Sequence, residues 1–204
     1  MITIIDYGIG NLGSVVNMIK KVGGKSIVTS NIEEVKRAKK ILLPGVGSFD
    51  NAVENLQKLG LFEVIKEKVL IDKVPIMGIC LGMQLLTKGS EEGDLKGFSF
   101  VDAFAKKFDF NNNMLKVPHM GWNIAKQQKK SKLFSTMEAN ENRFYFVHSY
   151  AIKCENEKDI LTTTSYGYSF VSSFEKENII GCQFHPEKSH KFGMQLFKNF
   201  VENY

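Results

Sequence analysis

A chain of 204 residues, of which 43% are hydrophobic and 24% charged, is long enough to bury one continuous core, so we expect a single compact domain over residues 1–204. The net charge of +5 comes from basic residues scattered along the chain, which is typical of solvated faces and argues against a nucleic-acid-binding protein. The first residues lack a basic flank, and no stretch is apolar for long enough to span a bilayer. We therefore expect no membrane association and a cytoplasmic location.

The first half of the chain repeats one pattern, in which a short apolar run precedes a segment of helical periodicity. Strands are predicted at residues 2–6, 26–29, 40–43 and 74–79, and helices at 12–22, 32–38, 49–59 and 81–87. Short buried strands that alternate with helices are typical of a parallel sheet. The fold class is therefore predicted as α/β, with three layers: a mostly parallel central sheet and helices on both of its faces.

The second half has the alternation of polar and apolar residues that is typical of strands. Strands are predicted at residues 98–110, 144–152, 160–164, 169–174 and 179–183, with a turn at 111–113. We expect them to form an antiparallel extension of the sheet. The chain closes with an amphipathic helix predicted at residues 190–201.

Cys80 is the first candidate for a reactive residue. An apolar strand leads into Gly78-Ile79-Cys80-Leu81-Gly82, and a glycine two residues on either side of a nucleophile is the pattern of a strand-to-helix elbow. Side chains at the two glycine positions would clash in so sharp a turn, and the helix N-terminus would favour a thiolate. The alternative is a buried structural cysteine, the role that we assign to Cys154 and Cys182.

A cysteine nucleophile needs a base and a group that orients the base. Among the four histidines, His185 ends an apolar strand and is followed by Pro186 and Glu187. The rigid proline fixes the direction of the chain, so that the carboxylate can turn back toward the imidazole. A surface histidine beside a chance glutamate is the alternative, which the Cys80 pattern makes the weaker interpretation.

A third segment, Pro44-Gly45-Val46-Gly47, follows the strand at residues 40–43. Glycines let backbone N–H groups approach a ligand, so this loop is a candidate oxyanion hole. A phosphate-binding loop is the rival interpretation, but no Gly-Lys-Ser/Thr follows.

Together, these motifs resemble the class I, triad-type glutamine amidotransferases, whose fold is flavodoxin-like. Within that group the chain is most similar to the glutaminase subunits of imidazole glycerol phosphate synthase. The blocks that carry the likeness cover nearly the whole chain in the family's order: residues 6–12, 44–47, 78–84, 118–123, 144–150 and 183–189.

The resemblance implies a mechanism and a set of site residues. Cys80 would attack the side-chain amide of glutamine, His185 would transfer protons, and Glu187 would orient His185. The backbone N–H groups of Val46 and Leu81 would hold the oxyanion, without any cofactor or metal. Residues implied to hold the substrate are Gly47, Gln84, His148, Ser149 and Tyr150.

The family also implies a partner. Ammonia would pass through a channel into a (β/α)8-barrel cyclase, in a heterodimer that makes imidazole glycerol phosphate and aminoimidazole carboxamide ribotide for histidine biosynthesis. Residues 118–123, with Trp122, and Lys188 would face this cyclase. The loop at residues 44–47 would be the switch by which the partner's ligand activates the glutaminase.

The chain departs from the family pattern at Gly13, where an arginine is usual, and at residues 97–102. We expect both departures near the partner or ligand side, which leaves the acceptor of the ammonia open. A similar glutaminase that feeds a sugar-amidating synthetase in surface-glycan assembly ranks second. A non-catalytic interaction subunit, a stand-alone cysteine hydrolase, a stress protein with a reactive cysteine and the glutaminase of pyridoxal phosphate synthase fit the motifs less well.

Overall fold

The computed structural model describes residues 1–110, 115–137 and 141–204, so the turn predicted at residues 111–113 lies outside the described residues. The helices are α1 (Leu12–Lys21), α2 (Ile32–Lys36), α3 (Phe49–Lys58), α4 (Leu61–Leu70), α5 (Leu81–Leu85) and α6 (His190–Asn203). The strands are β1 (Ile2–Ile5), β2 (Ser26–Thr29), β3 (Ile41–Gly45), β4 (Ile76–Cys80), β5 (Ala103–Lys107), β6 (His119–Ile124), β7 (Lys126–Gln127), β8 (Arg143–His148), β9 (Tyr150–Cys154), β10 (Ile160–Tyr166), β11 (Tyr168–Lys176) and β12 (Ile179–Cys182).

Ten of these strands form one sheet in which β2, β1, β3, β4 and β12 lie side by side and parallel. The sheet continues antiparallel through β11, β10 and β7, and β11 also pairs with β9, which pairs with β5. A parallel half with an antiparallel extension is the predicted arrangement, and it is confirmed. Strands β6 and β8 form a separate two-stranded antiparallel ribbon.

Helices cover both faces of the parallel half, as predicted. Apolar residues of α2, α3 and α4 pack with Ile41 and Leu43 of β3 on one face. On the other face, α1 and α6 pack with Leu42 of the same strand. Because successive side chains of a strand point to opposite faces, one uninterrupted apolar strand supplies both cores.

Two sequence predictions about the elements are wrong, and some elements were missed. Residues 98–102 are not a strand, because the N–H groups of Phe98 and Phe100 donate to carbonyls at the end of α5. The predicted strand at 144–152 is two strands, β8 and β9, which belong to different sheets and are separated at Ser149. Helix α4 and strands β6 and β7 were not predicted. Helix α4 follows α3 directly through Gly60, whose φ is +67°.

The departure from the family pattern at residues 97–102 lies largely in the core. Phe98 is buried and stacks on Phe62 of α4 at 4.2 Å between ring centroids, and on Phe100 at 4.9 Å. Gly13 lies on the exposed side of α1. Of the described helices, none combines the length and the apolar character that crossing a membrane requires.

Candidate active site

Cys80 stands at the sharp turn between β4 and α5. Its φ of +54° and ψ of −111° are uncommon for a residue with a side chain and indicate a strained backbone. A Cβ added to Gly78 would lie 2.5 Å from the carbonyl oxygen of Gly82, and one added to Gly82 would lie 1.8 Å from that of Leu43. The close approach predicted for the two glycines is therefore present.

The helix that follows Cys80 is shorter than predicted. It spans five residues, Leu81–Leu85, rather than residues 81–87. A helix of little more than one turn has few aligned peptide dipoles, so its field at the sulfur is small. Free N–H groups at this helix start, with that of Leu81 first, remain available to an oxyanion.

His185 and Glu187 form a buried pair. His185 Nδ1 lies 2.7 Å from Glu187 Oε1 across the short 3₁₀ helix Pro186–Lys188. The backbone is held by Ser189, whose Oγ donates to the His185 carbonyl at 2.6 Å and accepts from the Tyr145 N–H at 3.0 Å. Since a carboxylate only accepts, it fixes the proton on Nδ1 and leaves Nε2 for other partners.

The charge environment of His185 favours the imidazolium. Burial alone would lower its pKa, but the neighbouring Cys80 sulfur and the Glu187 carboxylate raise the pKa to about 10. Among the described residues, His185 Nε2 and Glu187 Oε2 are buried and have no hydrogen-bond partner. A protonated Nε2 without a partner can give a proton to a molecule beside Cys80.

The loop at residues 44–47 lies directly beside Cys80. Gly45 pairs with Cys80 across the β3–β4 register, so Val46 follows at the carboxyl end of the sheet. Tyr7, after β1, donates its hydroxyl to the Pro44 carbonyl at 2.8 Å, and burial raises the pKa of this phenol far above its usual range. Tyr7 is therefore a permanent donor that anchors the base of the loop.

These elements enclose a cavity of about 280 Å³. The residues that line it are Val46, Gly47, Cys80, Leu81, Gln84, Glu92, Val147, His148, Ser149, Tyr150, His185 and Lys188. The structure therefore brings together every site residue named from the sequence except two. Glu187 lies behind His185, and Trp122 lies outside the cavity.

Three residues of the site were missed by the sequence analysis. Glu92 lines the cavity, accepts from the Phe49 N–H at 3.0 Å, and has its pKa raised by burial. Val147 contributes a carbonyl oxygen 3.9 Å from the Cys80 sulfur. Gln183 is fully buried, and its amide donates to the same sulfur at 3.7 Å. None of the three lies in the motifs around Cys80, His185 or residues 44–47 at a position that indicates a function. Gln183 is, however, the first residue of the family block at residues 183–189.

Of the residues named for the partner, Lys188 lines the cavity, whereas residues 119–123 lie on strand β6. Met120, Trp122 and Ile124 alternate along the strand and are all exposed. Trp122 stacks on His190 with ring centroids 5.4 Å apart and planes 10° from parallel. A row of exposed apolar side chains on one strand is typical of an interaction surface.

The remaining cysteines, Cys154 and Cys182, have raised pKa values. Burial raises the pKa of Cys154 to about 12 and that of Cys182 still further, so both remain thiols. Over the described parts of the chain, no three His, Cys, Asp or Glu side chains converge as a metal site would require.

The chain is similar to known proteins over nearly its full length. Residues 3–204 match the family model described as glutamine amidotransferase class-I. Imidazole glycerol phosphate synthase subunit HisH 2 of Methanococcus maripaludis is 54% identical over 202 residues, which are 99% of each chain. The subunit of the same name from Pseudomonas aeruginosa is 47% identical, again over 99% of each chain.

A solved structure described as a glutamine amidotransferase superposes with a TM-score of 0.76, over 98% of this chain and 97% of its own, at 14% identity. That likeness concerns the fold, whereas the two subunits are close relatives over their full length. The chain belongs to the class-I glutamine amidotransferase family, among the HisH subunits of imidazole glycerol phosphate synthase.

Proposed function

We propose that this chain hydrolyses glutamine to glutamate and ammonia and supplies the ammonia to a cyclase subunit. The observation that carries the proposal is a strained Cys80 at a helix start that shares one cavity with His185, which is held from behind by Glu187 at 2.7 Å. These are the nucleophile, the base and the orienting group that acyl transfer requires.

In the first half-reaction, Cys80 attacks the side-chain amide carbon of glutamine, and a carbon–sulfur bond forms. The carbonyl oxygen becomes an oxyanion that the N–H groups of Leu81 and Val46 stabilise. His185, whose pKa is about 10, gives its proton to the departing nitrogen, and ammonia leaves behind a glutamyl thioester.

In the second half-reaction, water attacks the thioester. The neutral His185 now takes a proton from the water, the carbon–sulfur bond breaks, and glutamate leaves with Cys80 restored. Glu187 stays ionised and holds the imidazole through Nδ1, so that Nε2 serves both steps.

Glutamine recognition follows from the other residues of the cavity. The Gln84 amide donates to Gln183 at 3.3 Å, while its own buried oxygen has no partner among the described residues and can accept from the substrate. The Glu92 carboxylate complements the α-ammonium group of an amino acid. Gly47, Ser149 and Tyr150 supply the remaining wall.

The proposed partner is a cyclase with a (β/α)8 barrel that binds the edge carrying Met120, Trp122 and Ile124. Ammonia that escaped into water would be lost as ammonium, which supports transfer through a channel within a heterodimer. The products would be imidazole glycerol phosphate and aminoimidazole carboxamide ribotide in histidine biosynthesis. Three free thiols fit the cytoplasmic location that we propose with this pathway.

A second acceptor of the ammonia is kept because the chain departs from the family pattern at Gly13, which is exposed on α1. The candidate is a sugar-amidating enzyme of surface-glycan assembly. The glutaminase chemistry is the same in both cases.

The deciding experiment measures glutamate release from glutamine by the purified chain, with and without its cognate cyclase and that cyclase's nucleotide ligand. We expect strong stimulation by the liganded cyclase, and complete loss in Cys80→Ala with the fold and cyclase binding intact. Activity retained in Cys80→Ala would refute the mechanism. Hydrolysis that depends on Cys80 but ignores a folded cyclase would move the acceptor to the glycan pathway.

A further inference from the structure

The ribbon formed by β6 and β8 touches both reacting residues through its backbone. The Tyr145 carbonyl accepts from the His185 N–H at 2.8 Å, and the Val147 carbonyl lies 3.9 Å from the Cys80 sulfur. Both carbonyls belong to β8, which ends at His148. The position of β8 along its own direction therefore sets part of the geometry around Cys80 and His185.

A buried histidine pair joins the two strands of this ribbon. His119 and His148 are direct cross-strand partners, and His119 Nδ1 lies 3.0 Å from His148 Nε2. The other nitrogen of His148, Nδ1, lies 2.7 Å from the Tyr150 carbonyl oxygen. A carbonyl can only accept, so the neutral His148 carries its proton on Nδ1 and accepts at Nε2 from His119.

The chain of hydrogen bonds ends at Asn123. Its side-chain nitrogen lies 3.2 Å from His119 Nε2 and donates to the Ser165 carbonyl of β10 at 2.9 Å. Its side-chain oxygen accepts from the Ile124 N–H at 2.8 Å, which fixes the orientation of the amide. Asn123 therefore donates to His119 Nε2. The donor and the acceptor of each hydrogen bond from Asn123 to the Tyr150 carbonyl are thus determined.

No position in this chain of bonds can take another proton. A proton added at His119 Nε2 would face the Asn123 amide hydrogens, and one at His148 Nε2 would face the His119 N–H. Burial lowers the pKa of His119 to about 4 and that of His148 to about 3, in keeping with two neutral rings at pH 7.

This bonding changes the role that the sequence analysis gave His148. Both of its ring nitrogens are used within the protein, so neither can bind glutamine. What the ring does is tie the end of β8 to the first residue of β9 across Ser149, at the wall of the cavity.

We propose that His119, itself fixed by Asn123, is a positioning residue for the glutaminase: it locks His148 in one tautomer and thereby holds the cavity wall at residues 147–150. The proposal rests on the proposed function, since it concerns the same site. It adds that the partner-facing strand β6 supports the wall beside Cys80 through a directed set of hydrogen bonds.

The alternative is that His119 only fills space. It stacks on Tyr166 at 4.1 Å between centroids and contacts Phe108, Phe146 and Phe170. Two substitutions separate the roles. His119→Phe keeps an aromatic ring for packing but removes the donor, whereas His119→Asn loses the ring but keeps a nitrogen donor near the position of Nδ1.

The first measurement is nitrogen NMR of the ¹⁵N-histidine-labelled protein at neutral pH, which reads the tautomer directly. With four histidines in the chain, single substitutions assign the signals. We expect both His119 and His148 as neutral rings protonated on Nδ1. A His148 protonated on Nε2, or on both nitrogens, would overturn the proposal whether or not the chain hydrolyses glutamine.

The second measurement is the KM and kcat for glutamine of both variants in the complex with the cyclase. We expect His119→Phe to raise KM at least about tenfold, because a buried acceptor on His148 loses its donor. His119→Asn should stay within about threefold of the parent, whatever stability it loses. The reverse order, with KM following the lost ring, would assign His119 to packing.

The experiments distinguish a failure of the proposed glutaminase function from a failure of the positioning role of His119. If the parent chain releases no glutamate with any partner, the proposed function and the positioning role fail together. An active parent in which His119→Phe keeps its KM leaves the glutaminase standing and removes only His119.

Discussion

The parallel half of the sheet and the β6–β8 ribbon line the same cavity, but they are built differently. In the parallel half, strands β1, β3, β4 and β12 are buried at every residue. In the ribbon, buried residues alternate with half-buried or exposed ones along β8, and β6 is buried only at His119. The nucleophile therefore belongs to a close-packed frame, whereas the opposing wall belongs to an element with one face uncovered.

The difference teaches which part of the site can respond to a partner. Close-packed interiors resist deformation, so Cys80 keeps its strained backbone regardless of what binds outside. A two-stranded ribbon is marginally stable without neighbours, and this one is held by hydrogen bonds and by stacked rings. A cyclase that covers Met120 and Trp122 would add to the packing of the ribbon.

The largest effect on stability is expected from adding a side chain to the close-packed parallel half of the sheet. Gly82→Ala places a Cβ against the Leu43 carbonyl, where backbone rather than a flexible side chain must move. We expect a loss of about 3 kcal/mol in the free energy of unfolding, measured by urea denaturation. Gly13→Ala, in a helix with no atom within 4 Å of the new Cβ, is the control and should gain about 0.5–1 kcal/mol. Equal effects at the two positions would contradict the rigid frame.

A smaller effect is expected from the charge behind His185. Glu187→Gln removes a carboxylate that helps to raise the pKa of His185. We expect kcat for glutamine to fall about 10²-fold, less completely than in Cys80→Ala. His185 carries the proton that leaves with ammonia only at pH values below its own pKa. Because the substitution lowers that pKa, the alkaline limb of the pH profile of kcat should move to lower pH. An unchanged rate and profile would remove Glu187 from the mechanism.

The smallest effect is expected on the ribbon. Trp122→Ala should weaken the affinity for the cyclase about tenfold, because a large exposed ring at an interface contributes strongly to binding. Ile71→Ala is the matched control. Ile71 is more exposed than Trp122, but it precedes β4 and so lies toward the amino end of that strand, away from Cys80 at its carboxyl end. Titration calorimetry that finds both variants at parental affinity would show that the partner binds elsewhere.

The same contrast explains how far the sequence could be interpreted. Within the parallel half, strand and helix alternate with clear periods, and the positions of β1, β3, β4 and β12 were predicted to within a few residues. The glycines around Cys80 and the two-residue spacing of His185 and Glu187 are also local patterns, and each predicts its geometry without knowledge of the rest of the fold. Local pattern and tertiary structure agree there, so sequence suffices.

The ribbon was not predictable in the same way. Residues 144–152 read as one strand, since nothing local indicates that the chain changes sheets at Ser149. Phe98 and Phe100 alternate like a strand but bond to the end of α5. The pairing of His119 with His148 joins residues 29 positions apart, and Val147 acts through its backbone, which no side-chain motif reveals.

The backbone contacts of β8 have a further consequence for how such a protein can diverge. Since Tyr145 and Val147 reach His185 and Cys80 through main-chain carbonyls, their side chains are free to vary without altering those contacts. Strand β6 can likewise exchange Met120, Trp122 and Ile124 while His119 and Asn123 stay. With the proposed interface, evolution or design could therefore direct the glutaminase to another ammonia acceptor by changing the exposed side chains of β6, while the residues around Cys80 and His185 stay the same.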